Sequence, residues 1–577
     1  MRIYTLAVLC MLLPFGIIAQ DLPASMTPQE KIEYPNYLLN ASKPSSASAI
    51  TTPPSSPVRT MAEWEELHGV LITWAQFQVM LKDIVKASKE EGKVYIVTNN
   101  PSSVVNYLNV YNIDTVNVEF VVTSYNSVWS RDYGPWSAYT NDVDTLITVD
   151  WIYNRPRPSD DQIPVTMSNL LGTPLYETTA APWDLIHTGG NFMTDGMGTG
   201  FSSKLLLNEN PSKTEAVIDT IMKKFMGIDR YIKMDNLPYD VIHHIDMHMK
   251  LLDEETILMG EYPLGISDGP QIEANLQYVL SNFNSAFGTP YKVIRIPMPP
   301  DATGRYPSNG GNYWTHTNAS FVNKTILVPI YGGPSDTTAI RIFQEALPGY
   351  NVVGIDSRPS IPSLGAIHCI MKEIGTDDPL LIVHQSLEDT YDDVNPYNVV
   401  AEIKHRSGIL NADLYFRTDT AQAYNSVSMT NVGSNDWSAQ IPAQVAGKKV
   451  DYYITAEANS GKTQVRPIVA PDGYFDFNVL QLTSIDEHLA SSEFNVGNIF
   501  PNPASAITCI PVSFSDNVQF SLDLYDISGR FIKNIFSNMS GTGDQKYFID
   551  ASQLSSGVYS LHYRTDSQSE QSKLVIR

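Results

Sequence analysis

Cysteine is nearly absent from this chain: three in 577 residues. Cys10 lies in an apolar N-terminal leader and Cys509 near the C-terminus, leaving Cys369 alone in the long middle of the chain. That middle cannot close an internal disulfide, so it must hold itself together by burying large cores. Basic residues are also in short supply: 38 Lys and Arg against 62 Asp and Glu give a formal charge of −24. Such a surface argues against nucleic acid and anionic membranes as partners and favours a cationic substrate over the long range. Beyond the leader, no apolar run reaches membrane-spanning length. The leader itself reads as a secretory signal, residues 1–19, with Arg2 as the positive region, 6–13 and 15–18 as the apolar core, and Ala19 for cleavage.

What is present is a globular composition, 43% hydrophobic and 10% aromatic, in a length that suggests three or four domains. Residues 20–60 include a Ser-, Thr-, Ala- and Pro-rich stretch over 40–58, too polar for a core, and read as a linker or profragment. From 61 to 394 short apolar strands (94–97, 118–122, 257–259, 293–296, 326–330, 352–355) alternate with helical spacings. Phe77, Met80, Leu81, Ile84 and Ile272, Leu276, Val279, Leu280 follow the 3.6-residue period, with Gly92 and Gly288 as stops, so the fold class here is α/β. Over 395–482 the pattern turns all-β (397–403, 412–416, 437–441, 450–456) and suggests an immunoglobulin-like sandwich.

Residues 483–577 open on a polar joint at 484–492. They carry Phe500-Pro501-Asn502-Pro503-Ala504-Ser505, Leu524 to Arg530, Gly557-Val558-Tyr559 and Lys573 to Arg577. These motifs resemble, in order, the type-A C-terminal sorting domain of the type IX secretion system. That resemblance implies a small β-sandwich, the type IX machinery as a partner, and delivery to the outer-membrane surface of a Gram-negative bacterium.

Four segments carry candidate chemistry. Cys369 ends Ser-Leu-Gly-Ala-Ile-His-Cys, where Gly365 would let the backbone turn sharply and a thiol could act as a nucleophile. Trp129-Ser130-Arg131-Asp132-Tyr133-Gly134 sets a carboxylate beside aromatics just after a strand. In 241–248, an extended chain would put His244, Asp246 and His248 on one face, so the residues alone leave a zinc hydrolase, a thiol enzyme and a solvated surface strand all open. In Arg155-Pro156-Arg157-Pro158 each proline biases the preceding arginine to extended backbone, so two guanidinium groups can form a fork for a carboxylate. The competing reading is a solvated pair neutralised by Asp160 and Asp161.

Together these segments, with Thr188-Gly189-Gly190-Asn191-Phe192, resemble the Porphyromonas-type peptidylarginine deiminases of the pentein (guanidine-modifying) superfamily. The resemblance implies a five-bladed α/β propeller with Cys369, His244, Asp132, Asp246 and Asn318 as the catalytic set, Arg155 and Arg157 holding a substrate carboxylate, and Trp129 at the substrate. It implies no metal and no other cofactor. The activity implied is conversion of peptidyl-arginine, C-terminal for preference, to citrulline and ammonia through a covalent thiouronium. Val241 and His248 stand where that pattern has large side chains beside the substrate. The start, Glu63-Trp64-Glu65-Glu66-Leu67-His68-Gly69-Val70, and the Ile367-His368-Cys369 ending also resemble agmatine deiminases, so deimination of agmatine or free arginine is the alternative. A surface binding protein without activity is the second alternative.

Overall fold

The computed structural model describes residues 22–41, 45–46, 49–481, 493–497, 499, 502–504, 507–527, 529–551 and 554–576. The leader and the joint at 484–492 lie outside the described residues.

One unit recurs five times between Leu67 and Gly375. An antiparallel strand pairs with one side of a central strand, a helix follows, and the chain returns parallel on the other side. Parallel neighbours require such a crossover, and a helix is the usual one. In chain order the central strands are Leu67–Thr73, Thr145–Tyr153, Thr199–Ser203, Thr256–Glu261 and Thr325–Ile330. Their crossover helices are Gln78–Ser88, Ile163–Leu171, Glu215–Met226, Gly269–Asn282 and Pro334–Ala346. The parallel partners are Lys93–Thr98, Leu175–Thr178, Arg230–Met234, Lys292–Pro297 and Asn351–Asp356. The antiparallel partners are Lys372–Gly375, Trp136–Thr140, Met193–Thr194, Met249–Leu251 and Ser320–Val322. Because Lys372–Gly375 pairs with Leu67–Thr73, the end of this region closes onto its beginning.

Adjacent units pack in a ring. Lys372–Gly375 lies on Trp136–Thr140, Met193–Thr194 on Met249–Leu251, Ser320–Val322 on Leu67–Thr73, helix Pro334–Ala346 on Lys292–Pro297, and helix Glu215–Met226 on Leu175–Thr178. The expected strands and both expected helices are present, because β-branched runs such as Val94, Ile96 and Val97 are buried within sheets. The helices bury one face, as Met80, Leu81, Ile84 and Val85 do in Gln78–Ser88.

The stretch before this ring is not a free linker. Helix Pro28–Ala41 packs on the ring, Ser45 hydrogen-bonds Glu177, Ile50 bridges Tyr176, and strand Val58–Thr60 extends the sheet of Trp136–Thr140. Composition alone did not reveal this, because main-chain pairing and a few side chains hold the segment rather than an apolar core of its own. The helix starts in a capping box, Thr27-Pro28-Gln29-Glu30, with Glu30 Oε2 accepting from Thr27 N–H at 2.7 Å and Thr27 Oγ1 from Glu30 N–H at 3.2 Å.

Two packed sheets follow. One has the order Leu381–Val383, Tyr397–Lys404, Asp436–Ile441, Thr430–Gly433; the other runs Asn425–Ser428, Ile409–Arg417, Lys449–Ala458, Thr463–Arg466. Val399, Ala401, Leu414, Tyr452 and Ile454 fill the space between. The C-terminal region departs from the expected small sandwich. Its described strands form one antiparallel sheet built on two strands of 20 residues, Ile507–Asp526 and Phe531–Asp550. Register shifts at Phe514/Val518 and near Leu522 bend the long pair, so a single sheet covers its own core of Phe494, Ile510, Phe520 and Leu561.

Buried histidines tie acid stability to this packing. Burial pushes His187 down to about 3, and His248 and His384 down to about 4. The unfolded chain takes up these protons near pH 6.5, so between there and pH 4 it binds more protons than the folded one. These three histidines therefore withdraw stability as pH falls from 6.5 towards 4, by about 1–2 kcal/mol each at pH 5. Burial also raises Asp160 to about 6 and Asp161, Glu209, Asp240 and Glu254 to about 7, which adds stability over the same window. The histidine share is read as a difference: between pH 7.5 and 5 the urea midpoint of His384→Gln should fall less than that of the wild type, and parallel profiles would contradict it.

Candidate active site

The repeat itself assembles the site. Each antiparallel strand is entered through a tight turn at the same end of its sheet, and the candidate residues sit on these turns. Asp132 is on the helical turn Ser130–Tyr133 and Gly190 on Gly189–Asn191. Asp246 is on Ile245–Met247, with His244 immediately before it, and Cys369 is on His368–Ile370. Asn318 lies two residues before Ser320–Val322. The structure therefore brings Asp132, His244, Asp246, Asn318 and Cys369 together, although up to 237 positions separate them in sequence.

The 241–248 segment corrects the extended-strand expectation. Ile245–Met247 is a 3-10 turn, and His243 has φ +55°, so His244 and Asp246 reach the centre by a turn and not by alternation along a strand. His248 is buried with no partner on either ring nitrogen, and no group of three or more His, Cys, Asp or Glu among the described residues is arranged to hold a metal ion. Val241 lies exposed on the surface.

Cys369 is buried; its Sγ donates to Asp246 Oδ2 at 3.5 Å and accepts from Asn318 Nδ2 at 3.3 Å. Asn318 Oδ1 in turn accepts from the N–H groups of Ala366 and Cys369 at 3.2 and 3.4 Å, which sets the turn carrying the sulfur. His244 Nδ1 lies 3.6 Å from Asp132 Oδ1, and Gly190 N–H donates to that oxygen at 3.1 Å. His244 Nδ1 and Asp246 Oδ1 are buried without hydrogen-bond partners among the described residues, so each offers the site a polar atom for binding.

Two glycines are needed here because of close approach. A Cβ on Gly190 would lie 2.4 Å from His244 Nδ1, and one on Gly365 would lie 2.3 Å from the Trp129 ring and 2.9 Å from Cys369 Cβ. Gly365 was expected to supply a sharp turn; the left-handed residue is instead Leu364, φ +72°. The glycine is there to let Cys369 and Trp129 close on each other.

Behind the centre lies a second layer that reading the sequence missed. His368 Nδ1 meets Asp246 Oδ2 at 2.8 Å and its Nε2 meets Glu63 Oε1 at 2.7 Å. Lys250 pairs with Glu63 at 2.7 Å and Arg131 with Glu373 at 2.7 Å, while Arg131 Nε donates to the His368 carbonyl at 3.2 Å. The signal for this layer was in view, since Glu63 and His368 belong to motifs that open and close the region. Only the ring closure puts them side by side.

These neighbours set the protonation states. Burial would raise the Asp246 carboxyl, but the hydrogen bond and charge of His368, with His244 and Arg131, hold it below the usual carboxylate range. Burial likewise would raise Glu63, and His368, Lys250 and Arg131 hold it well below. His244 is pushed down by burial, more than Asp132 and Asp246 raise it, so it is a neutral imidazole near pH 7. Burial, then the charges of Asp246 and Asp132, push the Cys369 thiol well above its ordinary value. The arrangement suits a cation lying between two carboxylates: its charge would offset those that hold the thiol protonated.

Arg155 and Arg157 both reach residues 22–30, but the chain turns between them, Arg157 N–H donating to the Arg155 carbonyl at 2.7 Å where an extended chain was expected, and both are buried and not solvated. Asp160 binds Ser127 and Asn126 rather than serving as a surface counter-ion. Arg155 Nε donates to the Ala24 carbonyl at 2.8 Å, Arg157 Nε to Glu30 Oε1 at 2.7 Å, and Trp129 Nε1 to the Leu22 carbonyl at 2.9 Å.

The sequence pattern of the Porphyromonas-type peptidyl-arginine deiminase family matches residues 59–374, and that of a secretion system C-terminal sorting domain matches 498–577. A Vibrio parahaemolyticus protein named "Putative agmatine deiminase" is 24% identical over 365 residues, covering 56% of this chain and 98% of that protein. A Legionella pneumophila protein of the same name is 26% identical over 271 residues, 44% and 75% of the two chains. The X-ray structure of a putative agmatine deiminase overlays with TM-score 0.51 at 22% identity, across 57% of this chain and 99% of that one, a likeness of fold.

Gly190→Ala should displace His244 while leaving the sheets intact. We expect a turnover loss of about 100-fold or more, as for misplaced reacting groups, with an unchanged unfolding midpoint. Rates on arginine compounds beside circular dichroism melts test this.

Proposed function

Because the chain belongs to the Porphyromonas-type peptidyl-arginine deiminase family, we propose that it hydrolyses the guanidinium group of an arginine at the C-terminus of a peptide, leaving citrulline and releasing ammonia. The observation that carries this reading is the pair of buried carboxylates, Asp132 and Asp246, set around a buried thiol and a neutral imidazole. We read the five sheets as the blades of a propeller with this centre on its axis. The sorting domain makes the chain a secreted, cell-surface protein delivered by the type IX secretion machinery.

In the proposed mechanism Asp132 and Asp246 hold the planar guanidinium by paired charge-assisted hydrogen bonds and present its central carbon to Cys369 Sγ. The bound cation offsets the two negative charges, so the thiol becomes easier to ionise only once substrate is in place. His244 takes the thiol proton as the carbon–sulfur bond forms and passes it to the departing nitrogen, and the carbon–nitrogen bond breaks with loss of ammonia. Water then adds to the thiouronium carbon, its proton going through His244 to the released ammonia. The carbon–sulfur bond breaks, the ureido product forms, and the hydroxyl proton returns to sulfur. Asn318 holds the sulfur and its turn throughout.

Arg155 and Arg157 support a peptide end or free arginine over agmatine, since two buried guanidinium groups have no counter-charge to meet on a decarboxylated substrate. Ammonia release should be fastest from a short peptide ending in arginine, and slower by about 10-fold or more for the amidated peptide, for internal arginine and for agmatine. Equal rates for the free and amidated peptides, or preference for agmatine, would move the protein to the agmatine-deiminase branch.

Cys369→Ser should lower turnover by about 1,000-fold or more with the fold retained, because a serine hydroxyl barely ionises near neutral pH. Mass spectrometry of the quenched wild-type reaction should show a covalent adduct on Cys369, and wild-type rates in the serine variant would refute the nucleophile.

A further inference from the structure

We infer that residues 22–41 form a self-inhibitory segment that occupies the place of a substrate's peptide end, with the Glu30 carboxylate standing where the substrate α-carboxylate binds. This rests on the reading of Arg155 and Arg157 as the substrate clamp.

The contacts are those of a bound peptide. Four consecutive carbonyls are engaged: Leu22 by Trp129 Nε1 at 2.9 Å and Gln76 Nε2 at 3.0 Å, Pro23 by Arg157 Nη2 at 2.6 Å, Ala24 by Arg155 Nε at 2.8 Å, and Ser25 by Arg157 Nη2 at 3.4 Å. Ala24 N–H donates to the Ser363 carbonyl at 2.9 Å, so the strand of peptide also touches the turn leading to Cys369. Ala24 is 1% exposed and belongs to the same packed cluster as Trp129 and Cys369. Glu30 then closes the arrangement, meeting Arg157 Nε at 2.7 Å and Nη2 at 3.4 Å in a buried, two-point contact. Burial would raise the Glu30 carboxyl, yet Arg157 and the Thr27 contacts hold it below the usual range, so it is present as the anion.

Under this segment the centre is closed. Cys369, His244, Asp132, Asp246 and Asn318 are each 1% exposed or less, so a peptide carrying an arginine side chain enters only when the segment is away. The segment is nonetheless lightly held beyond the clamp. In helix Pro28–Ala41 only Glu30 and Tyr37 are buried, and Ile32 and Leu39 are largely exposed. Its hold comes from tethering, since an attached ligand presents itself at an effective concentration on the order of millimolar. Losing the Glu30–Arg157 pair, its one ionic contact among the described residues, should therefore release it.

The test uses the full chain with Glu30→Lys, which sets a cation against Arg157, and Glu30→Gln, which only removes the charge. One readout does not depend on turnover: the rate at which iodoacetamide alkylates Cys369, followed by peptide mass spectrometry, with Cys509 as internal reference. Cys369 labelling should rise by about 10-fold or more in Glu30→Lys and less in Glu30→Gln, with Cys509 unchanged. kcat/KM on the arginine-ending peptide should rise in the same order, and a synthetic 22–41 peptide should inhibit the released enzyme competitively, its Glu30→Gln version more weakly. Faster labelling without any guanidinium hydrolysis would uphold the segment and overturn the deiminase reading. Hydrolysis by wild type as fast as by both variants, with equal Cys369 labelling, would overturn the segment and leave the deiminase reading standing. Parallel acceleration of Cys509 would mean general unfolding and would also overturn it.

Discussion

The structure depends on keeping the Asp246 carboxylate charged beside a thiol in a place that water barely reaches. Burial alone would push such an acid towards its protonated form. The compensation comes from a second layer of charge: His368 on Asp246, then Glu63, Lys250 and Arg131 around His368. This network accounts for an Asp246 carboxyl held below its usual range while the Cys369 thiol, a few ångströms away, is pushed far above its own. The outcome is a centre whose ground state lacks a cation. In the proposed reaction the substrate supplies that cation, so binding and activation of the nucleophile are one electrostatic event.

Positioning follows from the fold with little further specialisation. A repeat of antiparallel strand, central strand, helix and parallel strand brings five entry turns to the same end of a ring, and each turn contributes one polar element to a common centre. Turns set between packed sheets cannot drift, so the fold itself holds the reacting groups in place. The exacting positions are those with no side chain. Gly190 and Gly365 allow His244 against Asp132 and Trp129 against Cys369, and in both places an added methyl would intrude on the reacting groups.

The two ends of the chain lie outside this machinery and act on where and when it works. At the C-terminus the sorting domain is an address. At the N-terminus the proposed inhibitory segment uses the same chemistry that would recognise substrate: backbone carbonyls for the donors and a carboxylate for the arginine fork. A surface enzyme that modifies arginine could then cross the cell with its clamp filled. The strong negative charge of the whole chain suits a cationic target but leaves Arg155 and Arg157 as a local exception, and a buried cation needs a partner in every state.

Much of this was legible in the chain. Alternation of short β-branched runs with helical spacings settled the α/β class, because 3.6 and 2 are the only periods that bury one face of a helix or strand. The isolation of Cys369, the Asp132 and His244–Asp246 motifs and the Arg-Pro pair each singled out residues that the structure brings near one another. What sequence could not decide was whatever depended on distant segments meeting. Local alternation put 241–248 in a strand, whereas the start of strand Met249–Leu251 demanded a turn there. A polar stretch read as a linker because composition records core-forming power and not main-chain docking. The Glu63–His368–Asp246 contact and the hold of Arg157 on Glu30 join residues 305 and 127 positions apart at their widest links, and only closure of the ring for the first, and docking of the N-terminal helix on it for the second, give such pairs a common address.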